Sequence, residues 1–545
     1  MYLCSGRFTR GSFTDCSMTN VKLIRLIICC LVIVAMVKFF FRPREYKTTN
    51  AKTHDIVQAV NFWASDGARK VVEPQEDTIK KENQDNQDVK PQVVGNQEQE
   101  KVEDVLDGVM TDPLKIVHLD LKGAAPKVTY LAQVPEDIEE IKSLATQHKL
   151  QLIPLVQAFG HMEFVLKHEK FFKLREVDTF PNSLNSLAPG SIELVQEMLT
   201  QVMKKHPEAR WFHIGADEVR GLGESEDSKR WLEAHSGDMG KLFLNHVTAV
   251  STFMKKLNKG VKLILWDDMF RRLGADTIKD SGLQDFASLM IWKYTPNMDV
   301  KEIGNLISKY EEAGFKGIWF ASAFKGASGI DQLWTPILHH LKNHEQWHKV
   351  IASMPEYKSI KYLGIALTGW QRYEHHTVLC ELFPVAIPSL AVCLQTLKHG
   401  QFEIEAQNEV QRFLGCEIDL SASDWGSFPG SDIYEMVKKI GNSLGRSVDK
   451  IMNSYHIRGS FSVYNRKRNF ANPRNLGFFQ EDLKKLMDEW DNFLMMFRER
   501  MEMIFYPDTL EEWMEENVNQ HIERLHEMVV DVDRIIVLKG QPKLV

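Results

Sequence analysis

Short apolar runs alternate with amphipathic helical patterns through the chain beyond Thr111. The runs are rich in β-branched and aromatic residues, while the intervening segments repeat apolar residues at helical spacing. Seven runs are predicted to be strands, over residues 116–121, 150–156, 211–216, 261–266, 288–292, 317–321 and 363–368. Strands that alternate with helices are typical of βα units around a parallel sheet, so we predict an α/β fold.

Nearly every predicted strand ends in polar or aromatic residues. Reactive groups of a (β/α) TIM-type barrel gather at the carboxyl ends of its strands, so this placement favours a barrel enzyme over residues 111–400. One strand end carries two adjacent carboxylates, Asp217 and Glu218, directly after Gly215 and Ala216. We interpret this pair as catalytic, whereas the acidic pair at 488–489 lies on an amphipathic helical pattern and is predicted to face solvent.

Helical patterns replace the strand patterns after residue 400. Residues 480–500 and 510–530 are amphipathic, so we predict a helical C-terminal domain over residues 401–545. A stripe of large apolar residues on the first of these helices is interpreted as core, and it comprises Phe493, Met495, Met496 and Phe497. The domain could also serve homodimer formation.

An apolar stretch near the N-terminus is predicted to be a transmembrane helix. Residues 23–41 read LIRLIICCLVIVAMVKFFF, and their charged residues lie near the ends of the stretch. We therefore predict a short basic tail with a membrane anchor over residues 1–44, followed by a polar, disordered stalk over residues 45–110. The alternative is a cleaved signal peptide, although no cleavage site of small residues follows the apolar stretch.

The compartment follows from that anchor. Basic residues flank the stretch on both sides, so their count does not decide the orientation. A large domain behind a short tail favours a type II protein with its catalytic domain in the lumen of the Golgi or endoplasmic reticulum. The alternative location is the cytoplasm or nucleus.

Charge and cysteine content exclude several classes of protein. The 67 basic and 74 acidic side chains give a net charge of −7, so nucleic acid is not an expected partner. Four of the seven cysteines precede residue 31, and none of the seven forms a C-x-x-C pair. We therefore expect neither a disulfide framework nor a thiolate zinc site. No cofactor is expected either.

Six segments carry a resemblance to a known family. They read HLDLKGAAPKVTYL, LIPLVQAFGHMEFVLKH, WFHIGADEV, WDDM, FASAFKGA and LTGWQRYEHH. Together they closely resemble glycoside hydrolase family 20, whose specific motif is H-x-G-x-D-E, and the resemblance extends from Lys115 to the C-terminal helices. It implies release of terminal β-linked N-acetylglucosamine or N-acetylgalactosamine from glycans or glycoconjugates. The reaction would retain configuration, with the acetamido oxygen of the substrate as nucleophile.

The same resemblance implies roles for individual residues. Glu218 would be the general acid and then the base, and Asp217 would orient the acetamido group. We expect the charge of Asp217 and partial burial to keep a proton on Glu218. The residues implied to bind substrate are Asp120, His161, Trp266, Trp292, Tyr294, Trp319 and Trp370.

The chain departs from the family before residue 150. A closed barrel of this class needs eight strands, but the interval after the first predicted strand has room for one crossover helix. The family has an additional βα unit there, so we predict that one unit is deleted near Val134–Pro135. A barrel that cannot close would place its catalytic groups poorly, which leaves a tethered pseudo-glycosidase that binds sugars without turnover as an alternative.

A second enzyme class is indicated by one short motif. His344, Glu345 and His348 form H-E-x-x-H, the zinc-binding pattern of a family of metalloproteases. No third ligand at a suitable spacing follows the motif, so a zinc metalloprotease is the remote alternative.

Overall fold

The computed structural model describes residues 113–122, 138–147, 150–416 and 426–541, which fall in one compact unit of the chain. The predicted anchor, tail and stalk lie outside these ranges, as does the predicted junction at Val134–Pro135. No helix within the described ranges is both long enough and apolar enough to cross a bilayer.

The described residues form a parallel sheet of six strands and a small antiparallel hairpin. The strands are β1 Leu114–Leu119, β2 Arg175–Val177, β3 Phe180–Leu184, β4 Trp211–His213, β5 Lys262–Trp266, β6 Ala287–Trp292, β7 Gly317–Lys325 and β8 Lys361–Gly369. The parallel sheet has the order β1-β8-β7-β6-β5-β4 and curls into a half barrel, while β2 pairs with β3. The fold is thus α/β, as the alternating pattern predicted.

Six of the seven predicted strands are present, with bounds that differ by a few residues. The exception is the segment over residues 150–156, which contributes a single parallel bridge between Leu155 and His213. Its contact with β4 consists of two backbone hydrogen bonds, one of which ends on the carbonyl of Pro154. Proline has no N–H to donate, and within the described residues no strand lies on the other side of this segment, so a continuous strand does not form.

Helices cover one face of the sheet. They are α1 Ile138–Gln147, α2 Glu163–Leu166, α3 Ser191–Lys205, α4 Glu226–Ala234, α5 Met239–Leu257, α6 Ala275–Asp280, α7 Val300–Glu312, α8 Ile337–Ser353 and α9 Phe383–His399. Short 3₁₀ helices add Glu169–Leu174, Asp268–Arg272, Leu283–Asp285 and Met354–Glu356.

Successive side chains of a strand point to opposite sides, and on β5, β6 and β7 both sides are largely buried. On the edge strand β1, alternate side chains are exposed. On β5, Leu263 and Leu265 join the core beneath the helices, where Ile303 and Ile307 of α7 also lie. Ile264 and Trp266 instead join a smaller cluster on the concave side of the sheet. Apolar burial of each such side chain contributes about 1.5–3 kcal/mol, which explains why these strands read as continuous apolar runs.

The C-terminal region is helical, as predicted. Its helices are α10 Ile404–Leu414, α11 Ser431–Lys439, α12 Gly445–Met452, α13 Tyr455–Ser460, α14 Val463–Lys467, α15 Pro473–Ile504, α16 Pro507–Met514 and α17 Gln520–Val537. Two π-helical segments, Ile440–Leu444 and Glu515–Asn519, continue α11 and precede α17. These helices share one hydrophobic core with α8 and α9.

The long helix α15 corrects one detail of the predicted core. Asn472 caps its N-terminus by accepting the backbone N–H of Arg474, and Pro473 occupies its first position, as is common at helix starts. Phe497 is buried and Phe493 packs partly against the core. Met495 and Met496 are exposed, because they lie outside the buried stripe that includes Leu494, Phe497 and Met501.

Candidate active site

The strand end after β4 holds Asp217 and Glu218 in a strained backbone. Ala216 has a φ of 71° and Glu218 a φ of 42°, in the left-handed region that residues other than glycine seldom adopt. Such strain persists only where neighbouring groups over-determine the conformation. It turns two successive carboxylates toward the same end of the sheet.

Side chains that follow the 150–156 segment and strand β5 hold this turn in place. Gln157 accepts the backbone N–H of Ala216 at 3.1 Å and donates to Oδ1 of Asp217 at 2.7 Å. The backbone N–H of Glu218 donates to Oδ2 of Asp268 at 2.9 Å. The conformation of the turn therefore depends on two residues that are distant in sequence, Gln157 and Asp268.

Gly160 lies directly against the acidic pair. A Cβ atom added at Gly160 would lie 2.0 Å from the carbonyl oxygen of Asp217, and 3.1 Å from the carbonyl oxygen of Glu218. Since a backbone oxygen cannot move aside as a flexible side chain can, this close approach requires glycine. The Gly-His segment of the sequence is thus packed onto the strand end that carries both carboxylates.

His161, which follows, faces both acids. Its Nε2 lies 3.2 Å from Oε2 of Glu218 and 3.7 Å from Oδ2 of Asp217. Burial by itself would lower the pKa of His161, but the charge of Asp217 and the hydrogen bond with Glu218 raise that pKa above its ordinary value. The other ring nitrogen, Nδ1, is buried with no hydrogen-bond partner among the described residues.

The electrostatics of Glu218 differ from the expectation. The hydrogen bond from His161 lowers the pKa of Glu218 below its ordinary value, and the Arg220 guanidinium adds to this against the opposing effect of burial. Arg220 donates to Oε2 of Glu218 at 2.9 Å and lies 3.5 Å from a carboxylate oxygen of Glu374. The expectation that its surroundings keep Glu218 protonated is therefore wrong, because the hydrogen bond from His161 and the charge of Arg220 outweigh the effect of burial on its pKa.

The raised pKa that was expected for Glu218 is found at Asp268 instead. Burial, followed by the charge of nearby Asp217, raises the pKa of Asp268 to about 7. Its Oδ1 accepts the indole N–H of Trp292 at 3.3 Å. One carboxylate oxygen thus contacts the backbone of Glu218, and the other contacts an aromatic residue of the site.

The predicted aromatic residues fall into two groups. Trp292 and Tyr294 stack with ring centroids 5.2 Å apart, and the Tyr294 ring lies 6.4 Å from that of Trp370. These three rings are partly exposed. Trp266 and Trp319 are almost fully buried in the concave cluster of the sheet, although Trp266 still lies 5.8 Å from Trp370. The first group can contact a ligand directly, whereas the second backs it.

Asp120, at the end of β1, contacts backbone groups. It accepts the N–H of Gln371 at 2.9 Å and that of Lys122 at 3.0 Å. Burial would raise the pKa of Asp120, but the neighbouring charges of Lys122 and His118 and these two N–H groups lower it. The side chain therefore remains ionised and fixes the loop after Trp370.

Three residues of this site were absent from the predicted set: Gln157, Arg220 and Asp268. Gln157 and Asp268 do follow predicted strands, so their position was a signal. Nothing in the sequence shows which of two neighbouring acids faces the site. Arg220 comes two residues after Glu218, and its contact arises from the turn that follows β4.

The H-E-x-x-H motif lies on α8, away from these residues. Nε2 of His344 lies 2.7 Å from the hydroxyl of Ser322, and its Nδ1 lies 2.7 Å from the carbonyl of His340. Both ring nitrogens of His344 are thus engaged by the fold, which leaves neither free to bind zinc. Among the described residues, the group with metal-ligand spacing is a different one, His399, Glu405 and Glu409. There each ring nitrogen of His399 faces a different carboxylate, at 3.8 and 3.6 Å.

Comparison with known proteins gives consistent matches. Residues 120–384 match the family model of the glycosyl hydrolase family 20 catalytic domain. Hexosaminidase D of Homo sapiens is 39% identical over 463 residues, which cover 77% of this chain and 95% of the human protein. Hexosaminidase D of Bos taurus is 44% identical over 338 residues, or 55% of this chain and 97% of the bovine protein.

Proposed function

Because this chain belongs to glycosyl hydrolase family 20, we propose that it hydrolyses terminal, non-reducing β-linked N-acetyl-D-hexosamine residues of glycans and glycoconjugates. The observation that carries the proposal is the pair of adjacent carboxylates in different surroundings. Asp217 is buried and hydrogen-bonded to Gln157, while the side chain of Glu218 is 34% exposed beside Arg220. Two acids with distinct environments suit two distinct roles.

In the first step, the carbonyl oxygen of the substrate's acetamido group attacks C1 of the sugar. The bond from C1 to the glycosidic oxygen breaks, and the carboxyl proton of Glu218 passes to that oxygen, so the leaving group departs as an alcohol. Asp217 accepts a hydrogen bond from the acetamido N–H and its negative charge stabilises the resulting oxazolinium ion.

In the second step, the carboxylate of Glu218 takes a proton from water. The hydroxide equivalent attacks C1 from the face that the leaving group vacated, and the bond from C1 to the acetamido oxygen breaks. Two inversions give net retention of configuration. The enzyme returns with a proton on Glu218, ready for the next substrate.

The low pKa of Glu218 makes its protonation dependent on the substrate and on pH. A sugar that covers the carboxyl removes water from it, and desolvation favours the neutral form. Contacts from the sugar would also compete with Arg220 for the Oε2 atom. Protonation of Glu218 is therefore coupled to occupation of the site, and activity is expected to fall as pH rises.

The remaining predicted residues are proposed to form the sugar pocket. Trp292, Tyr294 and Trp370 would stack on the apolar face of the sugar and enclose the acetamido methyl group. His161 would hold the two carboxylates, and burial keeps the hydroxyl of Tyr294 protonated as a donor by raising its pKa. Trp266, Trp319 and Asp120 would support these rings from behind.

The fold behind the pocket is proposed to be a TIM-type barrel that lacks one βα unit. Within the described residues β1 pairs with β8 alone, and the far edge of the sheet carries only the Leu155 bridge. An eight-stranded barrel would fill the interval between these two edges. A tethered pseudo-glycosidase is the second candidate function, because a barrel that lacks one βα unit would place its catalytic groups poorly.

The test is release of a chromophore from aryl β-N-acetylglucosaminide and aryl β-N-acetylgalactosaminide by the full chain. Glu218→Gln should abolish turnover, because the amide of glutamine is not acidic enough to protonate the glycosidic oxygen. Glu226→Gln, at an exposed carboxylate that pairs with Lys229, is the matched control and should retain wild-type activity.

A folded wild-type protein without turnover would contradict the proposed hydrolase. An N-acetylhexosamine thiazoline, which mimics the oxazolinium ion, then separates the two candidates. Binding of the thiazoline without hydrolysis of either substrate would favour the pseudo-glycosidase.

We further propose that residues 23–41 attach the protein to the membrane with its catalytic domain in the lumen. The apolar run and its basic flanks support this proposal. Resistance of the full chain to extraction by alkaline carbonate, and its release after deletion of residues 1–44, would be the expected result. Homodimer formation through the helical region is a related proposal, to be checked by light scattering of the detergent-solubilised chain.

A further inference from the structure

Two adjacent acids follow β5, and they face in different directions. Asp267 is fully buried and accepts hydrogen bonds from Arg271 at 2.8 Å and from the hydroxyl of Tyr310 at 3.0 Å. These contacts tie β5 to its own 3₁₀ helix and to α7. Asp267 thus belongs to the packing of the fold, and Asp268 faces the active site instead.

Asp268 connects two parts of the site that no other described contact joins directly. Its Oδ2 accepts the backbone N–H of Glu218 at 2.9 Å, and its Oδ1 accepts the indole N–H of Trp292 at 3.3 Å. Both donors need an acceptor, and an ionised carboxylate offers one oxygen to each. The distance from the acidic pair to the stacked rings of Trp292 and Tyr294 therefore depends on the side chain of Asp268.

The contact of Asp268 with Glu218 is made at a strained position of the backbone. Glu218 has a left-handed φ of 42°, which an unconstrained glutamate would leave. Its N–H bonds to a side chain instead of a neighbouring strand, since β4 ends at His213. Loss of this acceptor would allow the turn to relax and would move the Glu218 carboxyl away from its present position.

We propose that Asp268 is a positioning residue, which holds the Glu218 backbone and the Trp292 indole in one geometry without touching the substrate. The inference rests on the proposed hydrolase function, because its consequence is the placement of Glu218 against the glycosidic oxygen. A displacement of about 1 Å at such a group costs on the order of 100-fold in rate. Asp268 should therefore affect kcat far more than KM.

The first test compares three variants of the full chain. Asp268→Asn keeps the size of the side chain but replaces one acceptor oxygen by an NH₂ group, so one of the two N–H donors loses its partner. We expect kcat to fall about 10- to 100-fold with KM within about threefold of wild type. Asp267→Asn should lower the melting temperature, and Asp276→Asn, at an exposed position on α6, should change neither property.

The second test does not depend on turnover. The indole ¹H–¹⁵N resonance of Trp292, assigned by its loss in Trp292→Phe, should shift with a midpoint near pH 7 as Asp268 ionises. The other titratable groups around Asp268 are Asp217, Glu218, Asp267, Arg271 and Tyr310. Asp268→Asn leaves these five groups in place and should abolish the shift.

The two tests separate failure of this inference from failure of the proposed function. One outcome is a wild-type protein that lacks turnover while its Trp292 resonance still shifts as Asp268 ionises. That result would contradict the hydrolase function and support the contact of Asp268 with Trp292. A Trp292 resonance that does not change with the ionisation of Asp268 would overturn the proposed role of Asp268, even in an active enzyme. A kcat unchanged in Asp268→Asn would do the same. A fall in kcat matched by an equal loss of folded protein would also count against it.

Discussion

Nε2 of His161 lies 3.2 Å from Oε2 of Glu218, and this contact dominates the electrostatics of the candidate acid. The same nitrogen lies 3.7 Å from Oδ2 of Asp217, so one ring faces both members of the acidic pair. The imidazole has its pKa raised by the two acids, and it lowers the pKa of Glu218 in return. Both the hydrogen bond from His161 and the charge of Arg220 therefore favour the ionised form of Glu218.

Arg220→Gln should shift the alkaline limb of the pH profile of kcat/KM to higher pH. The guanidinium helps to hold the pKa of Glu218 down, so its removal raises that pKa and keeps the general acid protonated in less acidic solution. Arg230→Gln is the control, because Arg230 pairs with Asp227 on the exposed side of α4. If the alkaline limb of the pH profile is unchanged in Arg220→Gln, then Arg220 does not lower the pKa of Glu218.

Gly160→Ala should damage the site through its backbone. The added methyl group would lie 2.0 Å from the carbonyl oxygen of Asp217, so the strand end must shift, at a cost of about 1–3 kcal/mol in folding free energy. We expect a large loss of kcat and a lower melting temperature.

Gly477→Ala is the matched control for this change. Gly477 lies in α15 with nothing within 4 Å of an added Cβ, so alanine there should stabilise the protein by about 0.5–1 kcal/mol. Thermal unfolding of both variants measures the difference. Equal effects at the two positions would contradict the close packing inferred for Gly160.

Gln157→Glu should lower kcat/KM although the two side chains have nearly the same shape. Glutamate cannot donate to Oδ1 of Asp217 and brings a second negative charge to it, so Asp217 would lose its support and its ionised form would be disfavoured. We expect a reduction of about 10- to 100-fold, on the scale of a lost charge-assisted hydrogen bond of about 1.5–3 kcal/mol. Gln151→Glu, at an exposed position, should remain at wild-type activity.

Buried neutral histidines should make the fold sensitive to acid. Burial lowers the pKa of His213 to about 3, and the pKa values of His246 and His344 to about 4, from an ordinary value of 6.5. Their stabilising contribution is complete above pH 6.5 and is lost as pH falls toward the folded-state values, because the unfolded chain binds protons first. Each contributes a slope of about 1.4 kcal/mol per pH unit within that window.

Urea unfolding at pH 7.5, 6.0 and 5.0 measures this dependence. His246→Gln removes one of these groups and should lose less stability between pH 7.5 and pH 5.0 than the wild type. His235→Gln, at the exposed C-cap residue of α4, should follow the wild-type curve. Identical pH dependence in His246→Gln would contradict a buried neutral imidazole at that position.

Much of the architecture could be predicted from local patterns. Six strands lie where apolar runs predicted them. In β5, β6 and β7 the runs are continuous, because a parallel strand that is buried on both faces carries its polar residues mainly at its ends. The same rule placed Asp217 and Glu218 at a strand end, whereas His161 was indicated by the family resemblance. The segment over residues 150–156 is the exception, because its strand character depends on partners on both sides.

Other features were decided by the tertiary structure. Asp267 and Asp268 are identical in type and adjacent in sequence, yet one pairs with Arg271 and the other contacts Glu218. The direction of the pKa shift at Glu218 follows from distances to His161 and Arg220, which no spacing in the chain encodes. Local sequence thus determined which residues stand at the strand ends, since side-chain periodicity is a property of the single strand. Their charge states and partners depend on contacts across strands, and only the folded chain establishes those.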